Sequence, residues 1–257
     1  MLNIAVTGAA GNVGQQAMDA LDGHDLTPIT HRDHDDLDGI VLDVTDRESL
    51  TEALEGQDVV IHLAANASPN ASWESVDEVN INGTYNVYEA ARANDVDRIV
   101  FASSHHIAHM HNTTDQARAG TTKESPSIVR PDSGSRPDSY YAVSKITGEG
   151  LGSFYADRYG IDVVNLRIGW LLSEDELREK QDNSPARARH ARANWLSPRD
   201  CRNALQKAVE NDLSKSPVTI NVISQNDDRY LTLTESLQSL GYQPRDNAAT
   251  VLERSKS

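Results

Sequence analysis

The sequence has very little cysteine and no long apolar run. A single Cys, Cys201, among 257 residues excludes a disulfide framework. No apolar stretch approaches the roughly 20 residues that a membrane-spanning helix needs. The first residues lack a basic segment and enter an apolar run at once, so no signal peptide is predicted. These absences favour a cytoplasmic protein with no membrane partner.

Positive charge is also scarce. Lys and Arg together number 24, only six of them Lys, against 25 Asp and 14 Glu, and the formal net charge is −15. Nucleic-acid binding needs a basic footprint, so we predict no nucleic-acid partner. An Asp-rich, Lys-poor surface favours a halophilic protein over an ordinary acidic enzyme, because net charge reports on solubility and environment and not on fold.

Apolar runs of strand length alternate with amphipathic stretches of helical length. Strands are predicted at 2–6, 26–30, 39–42, 58–63, 98–102 and 161–166, and helices at 13–21, 46–54, 73–93 and 139–159. Pro28 predicts limited pairing of the second strand. This alternation predicts the α/β class, with a Rossmann-type doubly wound parallel sheet.

Two regions depart from this rhythm. Residues 111–138 are rich in Ser, Thr, Pro and Asp, and a loop of this length predicts a flap beside the active site. Beyond residue 168 come a polar segment (174–192), a helix after Pro198, a strand at 218–223 and a helix at 232–240. We predict one domain, 1–257, with a dinucleotide-binding core at 1–168 and a small C-terminal substrate-binding lobe at 169–257.

A glycine-rich turn joins the first predicted strand to the first helix. Its glycines are Gly8, Gly11 and Gly14, and Asn12 and Val13 lie between the last two. Glycine permits the tight turn and the close approach of backbone to a pyrophosphate, and the helix N-terminus offers free N–H groups to the phosphates. At this position the pattern predicts a dinucleotide site, although a plain glycine-rich turn would read the same.

The end of the second strand bears on the cofactor. A carboxylate there would hold the ribose 2′-OH of NAD, whereas a basic residue would suit the 2′-phosphate of NADP. Thr30 is followed by His31 and Arg32, which favours NADP slightly, while Asp33 keeps NAD open. Asp43, after the third strand, is a candidate for the adenine amino group or for a helix cap.

A tyrosine and a lysine lie one helical turn apart near the middle of the chain. Tyr141 and Lys145 belong to Tyr141-Ala142-Val143-Ser144-Lys145, and a spacing of four puts both on one helix face. The alternative is a surface Tyr and Lys on an amphipathic helix. Together with the glycine turn, the pair predicts hydride transfer between a nicotinamide cofactor and a hydroxyl or carbonyl carbon.

With these motifs the chain resembles an extended short-chain dehydrogenase/reductase of the NAD-dependent epimerase/dehydratase type. Four further segments carry the resemblance: His62-Leu63-Ala64-Ala65, Asn80-Ile81-Asn82-Gly83-Thr84, Phe101-Ala102-Ser103-Ser104 and Arg136-Pro137-Asp138. The resemblance implies an oxidoreductase. It also implies cofactor contacts at Val44, Leu63, Ala64, Ala65, Asn80 and Lys145, besides those already named.

Within the family the chain is most similar to uronate dehydrogenases and to haloarchaeal dehydrogenases of glucose 6-phosphate or L-arabinose. The pointers include Ser103-Ser104-His105-His106, Arg167-Ile168-Gly169 and Trp195-Leu196-Ser197. Three positions depart from the uronate pattern. His190 stands five before Trp195 where an arginine can grip a carboxylate, His105 replaces a common Asn, and Trp170 replaces a small polar residue. The departures favour a neutral sugar such as a pentose.

The resemblance implies a mechanism as well. Tyr141, as phenolate, would take the proton of the anomeric hydroxyl while C1 passes hydride to the nicotinamide, and the product would be an aldonolactone. A free tyrosine has a pKa near 10, so Lys145 would favour the phenolate, and Ser104 would bind the reacting oxygen. Further substrate-binding candidates are Asn66, Ser68, His105, Trp170 and Trp195, with Asn165 also considered.

The chain also has four histidines in seven residues, at His105, His106, His109 and His111. Hydride transfer of this kind needs no metal, so we predict that they line the pocket and hold no metal ion.

Three functions remain open. The favoured one is an NAD(P)-dependent aldose 1-dehydrogenase acting on a pentose such as L-arabinose, a hexose or a hexose phosphate. The second is a sugar-nucleotide epimerase or dehydratase with tightly bound NAD, and the third is a non-catalytic nicotinamide-sensing protein. Relatives pair through the helices at 73–93 and 139–159, so a homodimer or homotetramer is expected.

Overall fold

A parallel β-sheet forms the centre of the structure, which is a computed structural model describing residues 1–115 and 120–254. Its strands are β1 (Asn3–Thr7), β2 (Asp25–Thr30), β3 (Ile40–Val41), β4 (Val59–His62), β5 (Arg98–Ser104), β6 (Asp162–Ile168) and β9 (Val218–Val222). Their order is β3-β2-β1-β4-β5-β6-β9, and every neighbouring pair is parallel. The predicted Rossmann-type sheet is confirmed. A small parallel pair, β7 (Trp170–Leu171) and β8 (Trp195–Leu196), lies apart from it.

Helices cover both faces of the sheet. They are α1 (Asn12–Ala20), α2 (Arg47–Ala53), α3 (Trp73–Ser75), α4 (Gly83–Ala93), α5 (Tyr140–Tyr159), α6 (Glu174–Glu179), α7 (Pro185–Asn194), α8 (Pro198–Glu210), α9 (Thr234–Leu240) and α10 (Ala248–Glu253). Side chains alternate along each strand, so Ile4 and Val6 pack with α1 and α8, whereas Ala5 packs with α2, α4 and α5. None of the helices in the described part of the chain is both long and apolar enough to cross a membrane.

Caps explain where two predicted helices begin. The Asp46 carboxylate accepts from the backbone N–H groups of Glu48 and Ser49, and the Ser139 hydroxyl accepts from that of Ala142. Each cap satisfies an N–H group that has no partner within the helix. Asp46, not Asp43, therefore caps α2, and Ser139 fixes the start of the helix that carries Tyr141.

The predicted helix at 73–93 is not uniform. α3 leads into a π-helix, Val76–Asn82, which continues as α4. π-helical turns are rare and concentrate at functional sites. Here the wider turn lies beside α5, and the Asn80 side chain within it donates to the Ser144 hydroxyl.

The chain after residue 168 serves both the sheet and the cleft. β9 pairs with β6 as the outermost strand, and α8 packs against α1. The predicted polar segment 174–192 forms α6 and most of α7, and α7 lines the cleft together with β7. A boundary between core and lobe at residue 168 therefore stays a prediction.

The predicted flap at 111–138 follows a 3₁₀-helix, His105–His111. Residues 116–119 lie outside the described part of the chain. On either side of them the segment is held to the body, since Val129 exchanges backbone hydrogen bonds with Tyr230 and Thr232. Its role as a flap stays a prediction.

Candidate active site

A single continuous cleft runs across the carboxyl ends of the strands. Its volume is about 1370 Å³, and it extends from the glycine turn after β1 to the 3₁₀-helix after β5 and the region of α7. The carboxyl edge of a doubly wound sheet is where ligands bind, since the loops diverge there. The cleft has room for an extended ligand at the glycine turn and a small one at the far end.

The glycine turn is built for close approach. Gly8 has a φ of +73°, and a Cβ there would lie 2.8 Å from the backbone nitrogen of Ala64. A Cβ on Gly14 would overlap the carbonyl oxygens of Gly8 and Ala9. Gly11 precedes the first helical residue, and no side chain caps the N-terminus of α1. The free N–H groups therefore face a cradle that a side chain would fill, which fits a pyrophosphate.

The residues predicted for the adenosine end lie along this half of the cleft. His31, Arg32, Asp43 and Val44 line it, as do Asn12 and Val13 of the turn. Asp43 also accepts from the backbone and hydroxyl of Thr45, both at 2.9 Å. One carboxylate oxygen carries both contacts, so the other stays free for a ligand.

The loop after β4 forms the middle of the cleft. Leu63, Ala64 and Ala65 line it as predicted. Asn80 does not, because its amide is buried against Asn66: its oxygen accepts from the Asn66 N–H at 2.8 Å and its nitrogen donates to the Asn66 carbonyl at 3.1 Å. Asn80 thus shapes the loop instead of contacting a ligand directly.

Tyr141, Lys145 and Ser104 meet at the inner end of the cleft. The Lys145 ammonium lies 5.6 Å from the centre of the Tyr141 ring, and both side chains are buried. Burial raises the pKa of Tyr141, and a hydrogen bond with Ser104 opposes that rise. Burial lowers the pKa of Lys145 to about 7. Buried titratable groups in a cleft mark candidate catalytic sites.

The structure distinguishes the two neighbouring serines. The Ser103 hydroxyl donates to the Glu149 carboxylate at 2.6 Å, and that carboxylate also accepts from Nε and Nη2 of Arg167. Ser104 makes no such bond, and its hydroxyl accepts from the backbone N–H of His106. The Ser104 hydroxyl is also hydrogen-bonded to Tyr141, so it lies beside the predicted proton acceptor, whereas the hydroxyl of Ser103 is held by Glu149.

Four histidines meet at the far end. The rings of His105, His106, His109 and His190 lie 4.2–6.3 Å apart between centres, and three of them line the cleft, all but His109. His106 contacts the Asp138 carboxylate through Nδ1 at 2.7 Å. His111 points elsewhere, to the carbonyl of Gly134. Within the described residues no metal-binding group of three or more His, Cys, Asp or Glu is found.

The predicted substrate residues divide into two groups. Asn66, His105 and Trp170 line the cleft with Ser104 and Tyr141. Ser68 is exposed outside it, and Trp195 is buried in a separate apolar cluster, where its indole N–H donates to the Leu172 carbonyl. Trp195 is thus a core residue, since its large ring fills the space between β8 and α10. Asn165 is buried within β6 and also lies outside the cleft.

Sequence reasoning missed several lining residues. Lys180, Asn183 and Arg187 come from the 174–192 segment, and Gly120 comes from the predicted flap. The 174–192 segment carries short helices of little amphipathicity, so its pattern did not single out these residues within the predicted substrate-binding lobe.

The family model described as "NAD dependent epimerase/dehydratase family" matches residues 4–221. The chain belongs to this family. The predicted family is therefore confirmed.

Two curated relatives and one solved structure stand out. The chain is 57% identical to the L-arabinose 1-dehydrogenase (NAD(P)+) of Haloferax volcanii, over 98% of this chain and 100% of that one. It is 35% identical to an NAD-dependent glucose-6-phosphate dehydrogenase of the same organism, over 96% and 94%. A variant of uronate dehydrogenase from Agrobacterium tumefaciens, crystallised with NAD, superposes with a TM-score of 0.81 at 27% identity, over 100% and 89%.

Proposed function

We propose that this chain is an NAD(P)-dependent sugar 1-dehydrogenase that oxidises the anomeric carbon of an aldose, L-arabinose first among the candidates, to the aldonolactone. The observation that carries the proposal is the meeting of Tyr141, Ser104 and Lys145 at the inner end of a cleft that also spans the glycine turn. The identity of 57% to an L-arabinose 1-dehydrogenase over almost the whole chain supports the same reaction and substrate.

The cofactor fits the residues that are present. The glycine cradle accepts a pyrophosphate, the edge of the cleft offers Asp43 to adenine, and Lys145 offers its ammonium to the nicotinamide ribose. When bound, the nicotinamide accepts a hydride from C1 of the sugar. We assign the cofactor contacts to Gly8, Gly11, Asn12, Val13, Gly14, His31, Arg32, Asp43, Val44, Leu63, Ala64, Ala65 and Lys145.

Side chains of the protein remove the proton from the anomeric hydroxyl. Tyr141 takes it from the anomeric hydroxyl, and Ser104 donates a hydrogen bond to the same oxygen as it becomes a carbonyl. Burial alone would hold Tyr141 protonated, so the charge of Lys145 is needed to favour the phenolate. The reaction follows from three side chains on two elements, α5 and the end of β5.

The choice between NAD and NADP depends on His31 and Arg32. Both line the cleft where the ribose 2′ position would lie, and no carboxylate from the end of β2 joins them. Basic groups there favour the 2′-phosphate, so we propose use of NADP as well as NAD, with NADP slightly preferred.

A hexose phosphate is the second candidate substrate. Lys180 and Arg187 line the outer part of the cleft, and neither makes an ion pair with a described residue. Two cations that lack a carboxylate partner among the described residues would suit a phosphate on the far end of a sugar. The relative that oxidises glucose 6-phosphate supports this candidate at lower identity.

The first experiment measures the absorbance of reduced cofactor during sugar oxidation in molar salt, with NAD and with NADP in parallel. The sugars are L-arabinose, D-xylose, D-glucose, D-galactose, glucose 6-phosphate and glucuronate. The proposal expects turnover of L-arabinose with both cofactors. Turnover of glucose 6-phosphate alone would favour the second candidate. Cofactor binding without turnover of any of them would support a sugar-nucleotide enzyme or a nicotinamide sensor instead.

The environment and assembly are proposals too. The net charge of −15 supports function in the cytoplasm of a cell with high internal salt. Homo-oligomerisation is supported by exposed aromatic residues on α3, α4 and α5, the helices through which the family pairs.

A further inference from the structure

Two imidazoles stand side by side at the substrate end of the cleft. His105 comes from the 3₁₀-helix after β5 and His190 from α7, and both line the cleft. Their ring centres are 5.4 Å apart, and the side chains are almost wholly buried. In each ring one nitrogen contacts a protein group and the other does not. The contacting group determines whether the second nitrogen is a hydrogen-bond donor or an acceptor.

The partner of His105 fixes its tautomer. Nδ1 lies 3.1 Å from the carbonyl oxygen of Ile168. A carbonyl can only accept, so Nδ1 carries the proton and Nε2 carries the lone pair. Nε2 is buried and has no hydrogen-bond partner. A buried acceptor without a donor costs free energy unless a ligand satisfies it.

The partner of His190 fixes the opposite tautomer. The amide nitrogen of Asn194 lies 3.2 Å from Nδ1 of His190 and 3.0 Å from the carbonyl oxygen of the same residue. The second contact needs an N–H group, so the amide cannot be turned around. An amide nitrogen only donates, and the Thr122 hydroxyl, 3.3 Å from the same Nδ1, can donate to it as well. Nδ1 therefore accepts, and the ring proton lies on Nε2, for which the described residues supply no acceptor.

Both rings are neutral at physiological pH. Burial holds the pKa of His105 well below its ordinary value, and the charges of His106, His190 and His109 add to the effect. Burial does the same to the pKa of His190, with His109, His106 and Arg187 contributing. Neutral rings keep the two tautomers distinct, because an imidazolium would donate from both nitrogens.

We propose that His105 and His190 form a donor–acceptor pair that selects the neutral hydroxyl groups of the sugar. A hydroxyl, or two adjacent ones, can donate to Nε2 of His105 and accept from Nε2–H of His190. A carboxylate or phosphate offers acceptors only and would leave Nε2 of His105 facing a second lone pair. This proposal rests on the proposed function for the sugar as ligand. It adds that the two histidines recognise the hydroxyl groups of that sugar.

The tautomers can be tested without turnover. Protein labelled with ¹⁵N-histidine and studied by long-range ¹H–¹⁵N correlation should show His105 protonated at Nδ1 and His190 at Nε2, assigned with the variants His105→Phe and His190→Leu. Addition of L-arabinose to the NADPH complex should shift both signals. The same tautomer in both rings, or an imidazolium at pH 7.5, would overturn the proposal even if the enzyme oxidises L-arabinose.

Recognition of the sugar hydroxyl by the two histidines can be tested by kinetics. His190→Leu should lower kcat/KM for L-arabinose about 10- to 100-fold, and His190→Gln, which keeps an N–H donor, should recover part of the loss. His111→Gln should leave it unchanged, since His111 lies outside the cleft. Equal losses in His190→Leu and His190→Gln would contradict the role of the donor.

Deoxyfluoro analogues of L-arabinose test the role of His105 as an acceptor, because fluorine cannot donate a hydrogen bond. Combined with His105→Phe, they form a double-perturbation cycle. Replacing the contacted hydroxyl should cost the wild type about as much as His105→Phe costs on L-arabinose, and the two losses should not add. Full additivity at every ring position would show that His105 accepts from no hydroxyl. Unchanged cofactor affinity in each variant would exclude a folding defect as the cause.

Discussion

Burial of the ionisable side chains of Tyr141 and Lys145 costs free energy, and it shifts the pKa of each. Burial opposes the charged form of each side chain. Because opposite charges attract, an ammonium on Lys145 and a phenolate on Tyr141 each become more favourable when the other is charged. The charge of Lys145 is therefore coupled to that of Tyr141.

Tyr141→Phe removes the proton acceptor and keeps the ring. We expect kcat to fall by about 10²–10⁴, the range for loss of a general acid–base group. Cofactor binding, followed by NADPH fluorescence, should persist. Tyr140→Phe is the matched control, since Tyr140 is the preceding residue and is more than half exposed. Turnover near the wild-type rate in Tyr141→Phe would remove this residue from its assigned role.

Lys145→Met tests the energetic cost of the buried ammonium. The folded pKa of about 7 lies below the unfolded value near 10.5, so the unfolded state binds more protons between those limits, and stability rises with pH across them. The cost is full below pH 7 and amounts to at most about 5 kcal/mol.

Denaturant unfolding of the cofactor-free protein measures this effect. Lys145→Met should be more stable than wild type at pH 7, and the difference should shrink as the pH approaches 10.5. A constant difference over this range would mean that Lys145 keeps its ordinary pKa in the folded protein.

Single side chains were predicted best where a motif fixed their place. The glycine turn and the pair on α5 could be found from spacing alone, because helix and turn geometry are local. Trp195 was assigned to the pocket, but its ring fills the core beside β8, since burial depends on contacts between distant segments. The opposite tautomers of His105 and His190 depend on Ile168 and Asn194 and have no sequence signal at all.

Among the elements, α5 shows how tightly the catalytic helix is packed. Gly148 and Gly152 face the body of the protein, and a Cβ on Gly148 would overlap the Phe101 ring. Gly150 lies between them and faces open space. The helix thus comes close to β5 and β6 because the two inward-facing positions, 148 and 152, are both glycine.

Paired substitutions on α5 test this packing. Gly148→Ala should destabilise the protein by about 1–3 kcal/mol, the usual cost of overpacking, and should also lower kcat by moving Tyr141. Gly150→Ala should stabilise it by up to about 1 kcal/mol, because alanine loses less backbone freedom in a helix. Thermal unfolding compares the two, and a stable, fully active Gly148→Ala variant would contradict the close approach.

The predicted strands and most helices were confirmed because their apolar periodicity is strong. The π-helix at Val76–Asn82 was not predicted, since a widened turn has the same composition as an α-helical one. The helices α6 and α7 were also missed. Their sequences are polar, and their positions follow from contacts with β7 and the cleft instead of from an apolar stripe.

On the scale of the molecule, one surface carries a cluster of exposed aromatic side chains. We call it the aromatic face; its members are Trp73, Tyr85, Tyr140, Phe154 and Tyr159, each at least 40% exposed. They lie on α3, α4 and α5. Ring contacts join Trp73 to Tyr140 and Phe154 to Tyr159. Exposed apolar clusters of this kind mark interaction surfaces.

Burial of the aromatic face in a homo-oligomer can be tested with Tyr85→Asp combined with Phe154→Asp. We expect the double variant to be a monomer by light scattering in molar KCl, whereas wild type should be at least a dimer. Leu237→Asp is the control, because Leu237 is similarly exposed on α9. A monomeric wild type would contradict the assembly, and so would a double variant of unchanged mass.

The charge balance predicts a dependence on salt. Acidic residues outnumber basic ones by 39 to 24, so repulsion destabilises the folded chain until counterions screen it. Tm should rise between about 0.1 M and about 2 M KCl. A Tm that falls over this range would favour an ordinary acidic protein, with the urea midpoint at both salt concentrations as a second measure.

The position of β9 has a consequence for synthesis on the ribosome. β6 is hydrogen-bonded on both sides in the finished sheet, yet its outer partner is made more than fifty residues later. Until Val218–Val222 has left the exit tunnel, the nascent chain presents an unpaired, apolar strand edge, which is a template for aggregation. The last quarter of the chain therefore protects the nascent protein against aggregation and also completes its sheet.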